Sequence, residues 1–463
     1  MKVNHKQKCI MGFVSIIISS LKKLPFTFQI LEFIQNNPLY KGVFILGSGT
    51  AVTQLIGIIS MPIITRLYTP SDLGILAVYS SILAITGIGA SLRYEFALGL
   101  PKRDEDAANL LGLCLVLLCC TTAIFAFILV IADDYFIDTF NLYSISEYLW
   151  FLLFGFFGLG LYSIFNYYTI RNQDYRIITY TKINQGIGGA VCKIFLGLFS
   201  FGPIGLIIGH IISQTAGIGT LVRSIWYKKQ NIYNSISINS LKIIAKTYKN
   251  FPIFHFPASI MNTISLQLPP LMLLWLYDSQ IVGFYSLANM LLILPGSFIS
   301  QSMGQAYLGE ASKMVRDGSK ELRNFYLKTL KHLSLIGLPL IGLPTLFAPV
   351  FISVIFGHVW KEAGWYCWTL GAMVIVGFVV SPTSILSIYG NNHWNLIWDI
   401  IRTGGVYFGF YFCYVFNCPV LMTLFIYSII MIMMYFVLIF IVLYVIEKFT
   451  QNVKGKVDDY IQN

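Results

Sequence analysis

The sequence predicts an all-α integral membrane protein: twelve transmembrane helices in two pseudo-symmetric six-helix lobes. Three observations predict it. The chain of 463 residues is 56% hydrophobic and 11% charged, with a mean hydropathy of +0.72, well outside the range of soluble domains. Its apolar residues fall into blocks of about 20, which at a rise of about 1.5 Å per residue cover a hydrocarbon core of about 30 Å. Leu67-Tyr68 followed by Gly74 recurs as Leu276-Tyr277 followed by Gly283 at the same spacing, the kind of internal repetition from which many transporters are built.

Charged and Pro/Gly-rich breaks divide the chain. Residues 1–42 form an N-terminal segment in which the apolar run from Cys9 to Ser20 is too short to span and is followed by Lys22-Lys23 without a cleavage site. It reads as an interfacial amphipathic segment and not as a signal peptide. Spans near 43–65, 74–95, 108–131, 148–170, 183–200 and 204–224 form an N-terminal half, residues 43–225. A basic connector follows at 226–250. Spans near 251–276, 283–306, 326–355, 365–389, 395–416 and 419–446 form a C-terminal half, residues 251–446, before a tail at 447–463.

An even number of spans puts both termini on one side. Of the 31 Lys and Arg, all but four then fall on that side; only Arg66 and Lys361 lie on the other, among Asp72, Asp133, Asp134, Asp138, Glu147, Asp278 and Glu362. The positive-inside rule makes the basic side, with both termini, cytoplasmic. In the connector, Lys242, Lys246 and Lys249 share one helical face, which suits a helix on the inner leaflet. The net charge of +11 is thus spread over short loops facing lipid headgroups, and no nucleic-acid partner is expected. The eight cysteines sit mostly inside apolar blocks with no metal-ligand spacing, and read as buried thiols.

The remaining two basic residues lie inside spans. Lys193 is about 15 Å deep in the fifth, with Gly186, Gly189, Ala190 and Gly197 on its face. Arg402 is about 11 Å deep in the eleventh, one turn after Asp399. A cation at membrane depth costs a few kcal/mol and has either a partner or a task. The 209-residue offset of the repeat relates Lys193 to Arg402 and Thr53-Gln54 to Asn262-Thr263. These polar residues, with Gln267, are candidate cavity contacts. Arg66, Arg93, Glu95, His210 and Asp399 are candidates for coupling or gating. Pro252, Pro257 and Pro269-Pro270 predict a bent seventh span. There is no G-x-x-x-x-G-K-[ST] loop, no outer loop long enough for a catalytic domain, and no expected cofactor, so an integral glycosyltransferase is disfavoured and the chain is read as a non-enzyme.

Several stretches together resemble a known family. Arg66-Leu67-Tyr68-Thr69-Pro70-Ser71-Asp72-Leu73-Gly74, Leu92-Arg93-Tyr94-Glu95, Gly202-Pro203-Ile204-Gly205, Tyr248-Lys249-Asn250-Phe251-Pro252 and Phe356-Gly357-His358-Val359-Trp360 are similar in type and order to the Wzx-type polysaccharide-repeat flippases. These belong to the multidrug, oligosaccharidyl-lipid and polysaccharide exporter superfamily. The resemblance implies a V-shaped, MATE-like pair of lobes working by alternating access in a bacterial cytoplasmic membrane. It implies movement of undecaprenyl-diphosphate-linked oligosaccharide, such as an O-antigen unit, to the outer leaflet. A coupling ion, a polysaccharide polymerase and a chain-length protein would be the partners. Lys193 and Arg402, meeting in one wet chamber, are then expected to bind the diphosphate. The rivals are a cation-coupled small-molecule antiporter and a peptidoglycan-precursor flippase.

Overall fold

A computed structural model describes residues 38–131, 143–228, 236–319, 321–384, 386–389 and 393–462. The expected interfacial run at Cys9 to Ser20 and the acidic loop around Asp133 and Asp138 lie outside the described residues. All regular structure among the described residues is helical. Among the described residues, ten helical segments are long and apolar enough to cross a membrane. Their outward faces carry bare apolar side chains, among them Ile59 at 71% exposed, Phe154 at 68% and Phe440 at 70%, which only a lipid environment makes favourable.

The N-terminal half contains α1 (Pro38–Leu67), α2 (Pro70–Gly87), α3 (Asp104–Ile131), α4 (Leu149–Arg171), α5 (Tyr175–Leu198), α6 (Pro203–Thr215) and α7 (Ile218–Lys228). A short helix α8 (Ile238–Thr247) lies in the connector. The C-terminal half contains α9 (Phe256–Leu276), α10 (Ser279–Arg316), α11 (Leu322–Gly337), α12 (Leu343–Phe356), α13 (Lys361–Val380), α14 (His393–Val415) and α15 (Val420–Gln462). Two of the expected spans, the fifth and the eleventh, correspond to α5 and α14, which are as long as their neighbours (24 and 23 residues) but are not among the ten. Both carry polar residues and a deep cation, which lowers their hydropathy.

Local chemistry explains most boundaries. Thr69 caps α2: its hydroxyl accepts from the Asp72 amide at 3.2 Å while the Asp72 carboxylate accepts from the Thr69 amide at 2.9 Å, with Pro70 at the first helical turn. Asp278 caps α10 in the repeated position, accepting from the Ile281 amide at 2.9 Å. The expected sixth span is broken in two at Gly217, whose φ of +106° suits glycine. The ninth is broken by a π turn at Leu338–Gly342, next to Pro339 and Pro344. A second π turn, Phe251–His255, begins the seventh span at Pro252, where a break in regular helical bonding is expected.

Helix pairing repeats between the halves. α1 packs along α5 and α9 along α14, while α2 and α10 pack on each other across the two halves. The cross-contact is at backbone distance. A Cβ on Gly74 would lie 1.7 Å from the Ser279 carbonyl oxygen, and one on Gly283 would lie 1.8 Å from that of Pro70. Beside them the Ser71 and Ser279 hydroxyls are 2.6 Å apart. The buried Trp360 indole adds a bond to the Thr65 carbonyl at 2.9 Å, again from one half to the other. Gly74→Ala or Gly283→Ala is therefore expected to cost about 1–3 kcal/mol, measured as a lowered thermal midpoint of the purified protein. Gly404→Ala, with open space around it, is expected to stay within about 0.5 kcal/mol of wild type.

Candidate functional site

Along α5, Lys182, Gln185, Gly186, Gly189 and Lys193 fall at helical spacing on one face. That face and the Thr50, Thr53, Gln54 stripe of α1 enclose a cavity of about 460 Å³, completed by α2, α6 and by Ser286 and Met290 of α10. Small residues make the space. Thr53 Oγ1 lies 2.8 Å from the Lys182 carbonyl, a contact possible because Gly186 leaves its Cβ position to the Thr53 methyl, 3.0 Å away. Gly209 of α6 makes room for the stem of Lys193: a Cβ there would be 2.3 Å from the lysine Cγ. The Tyr68 hydroxyl donates to the Lys193 carbonyl at 2.7 Å, fixing this turn of α5.

The cavity wall carries two lysines and no carboxylate. Among the described residues no acid comes within ion-pair distance of either amine. Gln185 donates to the Gln214 carbonyl at 2.9 Å, whereas the Gln54 carbonyl oxygen is buried with no partner among the described residues. An unpaired cation inside a membrane protein is costly, and the wall sets two of them beside neutral hydrogen-bonding groups.

Lys193, Thr53 and Gln54 are thus brought together as the sequence predicts, and Lys182 joins them. Lys182 reads from sequence as a loop residue, because the fifth span was expected to begin at 183, while α5 starts at Tyr175. Its position eleven residues before Lys193, three turns along one face, is the signal that could have found it.

Arg402 does not line this cavity. It is 4% exposed and engaged: Nε donates to Ser265 at 2.6 Å, one terminal nitrogen donates to Asp399 at 2.8 Å and Asn262 at 3.3 Å, and its guanidinium carbon sits 4.3 Å from the Trp398 ring centre. The arrangement fastens α14 to α9. The expectation of two cations in one chamber is corrected accordingly: the intrahelical acid three residues away and the tryptophan beside it take up Arg402. Asn262 and Asp399 are spent on the same bonds. Gln267 accepts from the Ser81 hydroxyl at 2.9 Å, bridging α9 to α2; neither it nor Thr263 lines the cavity.

The other candidates are dispersed. His210 lies behind the cavity, edge-on to Tyr79 at 6.1 Å and 3.5 Å from the Ser80 hydroxyl. Arg93, at a left-handed φ of 65°, and the buried Glu95 form a 3.4 Å ion pair in the turn between α2 and α3, where the Ser91 hydroxyl also donates to Glu95. Arg66 is exposed at the end of α1, and Asp72, six residues on, is engaged in the α2 cap.

Comparisons with known proteins define the class first. The chain is similar to an inward-facing multidrug resistance MATE family transporter of the MOP superfamily (TM-score 0.61, 17% identity, covering 89% of this chain and 95% of that one). It is similar to an outward-facing form of such a transporter (TM-score 0.54, 17% identity, 90% and 97%). It also resembles a MOP superfamily transporter from Pyrococcus furiosus, described as having a binding pocket of reversed polarity (TM-score 0.58, 17% identity, 90% and 97%). The chain shares the all-helical, multi-pass fold of these proteins. The chain itself belongs to the polysaccharide biosynthesis protein family, whose model matches residues 63–364. No curated protein matches the chain significantly.

Removing one partner of a buried ion pair strands the other. Asp399→Ala is expected to destabilise the protein by about 3–5 kcal/mol, and the double change Asp399→Ala with Arg402→Met to recover most of that loss. Thermal unfolding of the purified variants measures both.

Proposed function

We propose that the protein is a flippase for a lipid-linked oligosaccharide, with an undecaprenyl-diphosphate carrier, in the cytoplasmic membrane of a bacterium, both termini being cytoplasmic. The observation that carries this reading is a cavity with two unpaired lysines and no carboxylate, in a chain of the polysaccharide biosynthesis family. A diphosphate brings anionic oxygens that the Lys193 amine binds as a point charge, with Lys182, three turns away along α5, adding positive charge to the same wall. The glutamine and serine groups of the wall match a sugar's hydroxyls, and the lipid tail stays in the bilayer.

A cation-coupled antiporter would need an acid in the cavity, and Asp399, the acid near mid-depth, is held by Arg402. Division into six-helix lobes on either side of residues 226–250 is part of the same proposal, as is any ion that drives turnover.

Lys193→Ala is expected to abolish surface polysaccharide at unchanged protein level, Lys193→Arg to restore part of it, and Lys182→Ala to reduce it. The Asp399→Ala, Arg402→Met double variant is expected to retain it. Normal surface polysaccharide in Lys193→Ala cells would overturn the reading; immunoblots of membranes and of polysaccharide give the answer.

A further inference from the structure

The connector helix α8 is held to the N-terminal half by one face only. Ile244 is buried, Leu241 packs at Gly112 of α3, the Ser237 amide donates to Asn109 Oδ1 at 3.1 Å, and the Tyr94 hydroxyl donates to the Ala245 carbonyl at 3.0 Å. The opposite face is open and continuous. On it Lys242 and Lys246 form a stripe, continued by the exposed Lys249 two residues past the helix end and flanked by Ile238 at 73% exposed and Ile243 at 66%. The helix itself contains no acid. Asp106 lies near its C-terminal end, where burial first and that carboxylate second push the Tyr248 hydroxyl above its ordinary range.

We infer that this face is a docking surface for anionic phospholipid headgroups of the surrounding bilayer. Two features select lipid over a soluble acidic partner. α8 leads within a few residues into the span that starts at Phe251, so it cannot leave the membrane surface. The mixture of exposed isoleucines with lysines also matches the boundary between acyl chains and charged headgroups.

The position gives such binding a consequence. α8 is bonded to the 3-10 turn Tyr94–Gly99 through Tyr94, and that turn touches the π turn Phe251–His255 at the start of α9. A headgroup bound to the lysines therefore braces a contact between the two halves.

The test uses the full-length protein purified in a neutral detergent, with its thermal midpoint measured after adding phosphatidylglycerol or phosphatidylcholine at equal mole fraction. Phosphatidylglycerol should raise the midpoint more than phosphatidylcholine does, and added salt should shrink the difference. Lys242→Gln/Lys246→Gln/Lys249→Gln should leave the lipid-free midpoint unchanged and lose more than half of that difference. Arg323→Gln/Lys328→Gln/Lys331→Gln, an equal charge change on the exposed side of α11, should keep it. No phosphatidylglycerol preference in the wild type, a full preference in the α8 variant, or an equal loss in both variants would overturn the inference.

Discussion

Everything in the molecule is hung on one approach at backbone distance, where the N-terminal ends of α2 and α10 meet at Gly74 and Gly283. Any side chain at either position would overlap the partner's carbonyl oxygen, and the cost would be steric and immediate. Because the two glycines are related by the internal repeat, the contact is nearly self-complementary, as in an isologous interface. It places Leu73, Leu76, Ala77 and Ser80 of α2 and Ser286 and Met290 of α10 around the same cavity. The site is a consequence of where the halves touch.

Repetition has not produced equivalence. α5 on α1 and α14 on α9 are the same pairing, but the two cations stand at different levels in it: Lys193 beside Tyr68 at the end of α1, Arg402 beside Asn262 and Ser265 midway along α9. Lys193 is surrounded by glycine and borders open space, whereas Arg402 has a carboxylate, an amide, a hydroxyl and an indole ring within contact. A planar guanidinium with fixed donors suits such a crowded polar corner; a compact ammonium on a flexible stem suits an open cavity wall. One half thus uses its buried cation as a fastener, while the other leaves its cation unspent.

Much of this was legible in the sequence, for identifiable reasons. Long apolar blocks and cap residues depend on local chemistry, so the helices around Thr69 and Asp278 follow from their neighbours. Lys193 could be singled out because its own helix offers no acid. Whether Arg402 is free or held was written in Asp399 and Trp398 one turn or less away, and the repeat symmetry argued the other way. Lys182 was missed because span boundaries read from hydropathy stop at charged residues, while α5 continues through Arg176 and Lys182 as a helix. The break at Gly217 depends on a close contact with Thr181 of another helix, which no local window contains.

The character of the seam between the halves sets what it would cost to part them. The polar contacts between the halves are bare backbone at Gly74 and Gly283, one serine pair, the Ser81–Gln267 bond and one indole bond, set in continuous apolar packing. None of these groups is charged. Parting them exposes neutral donors and acceptors that water satisfies, and each such bond is worth only about 0.5–1.5 kcal/mol net. An ion pair in the same place would make opening sensitive to whichever charge was left unmatched. The charged fastening has instead been placed within the C-terminal half, between α9 and α14, where the two helices pack along each other and opening of the seam leaves them together. Buried charge thus ties helices together within one half, neutral donors and apolar surface join the halves, and the cavity, walled by both, lies across that seam.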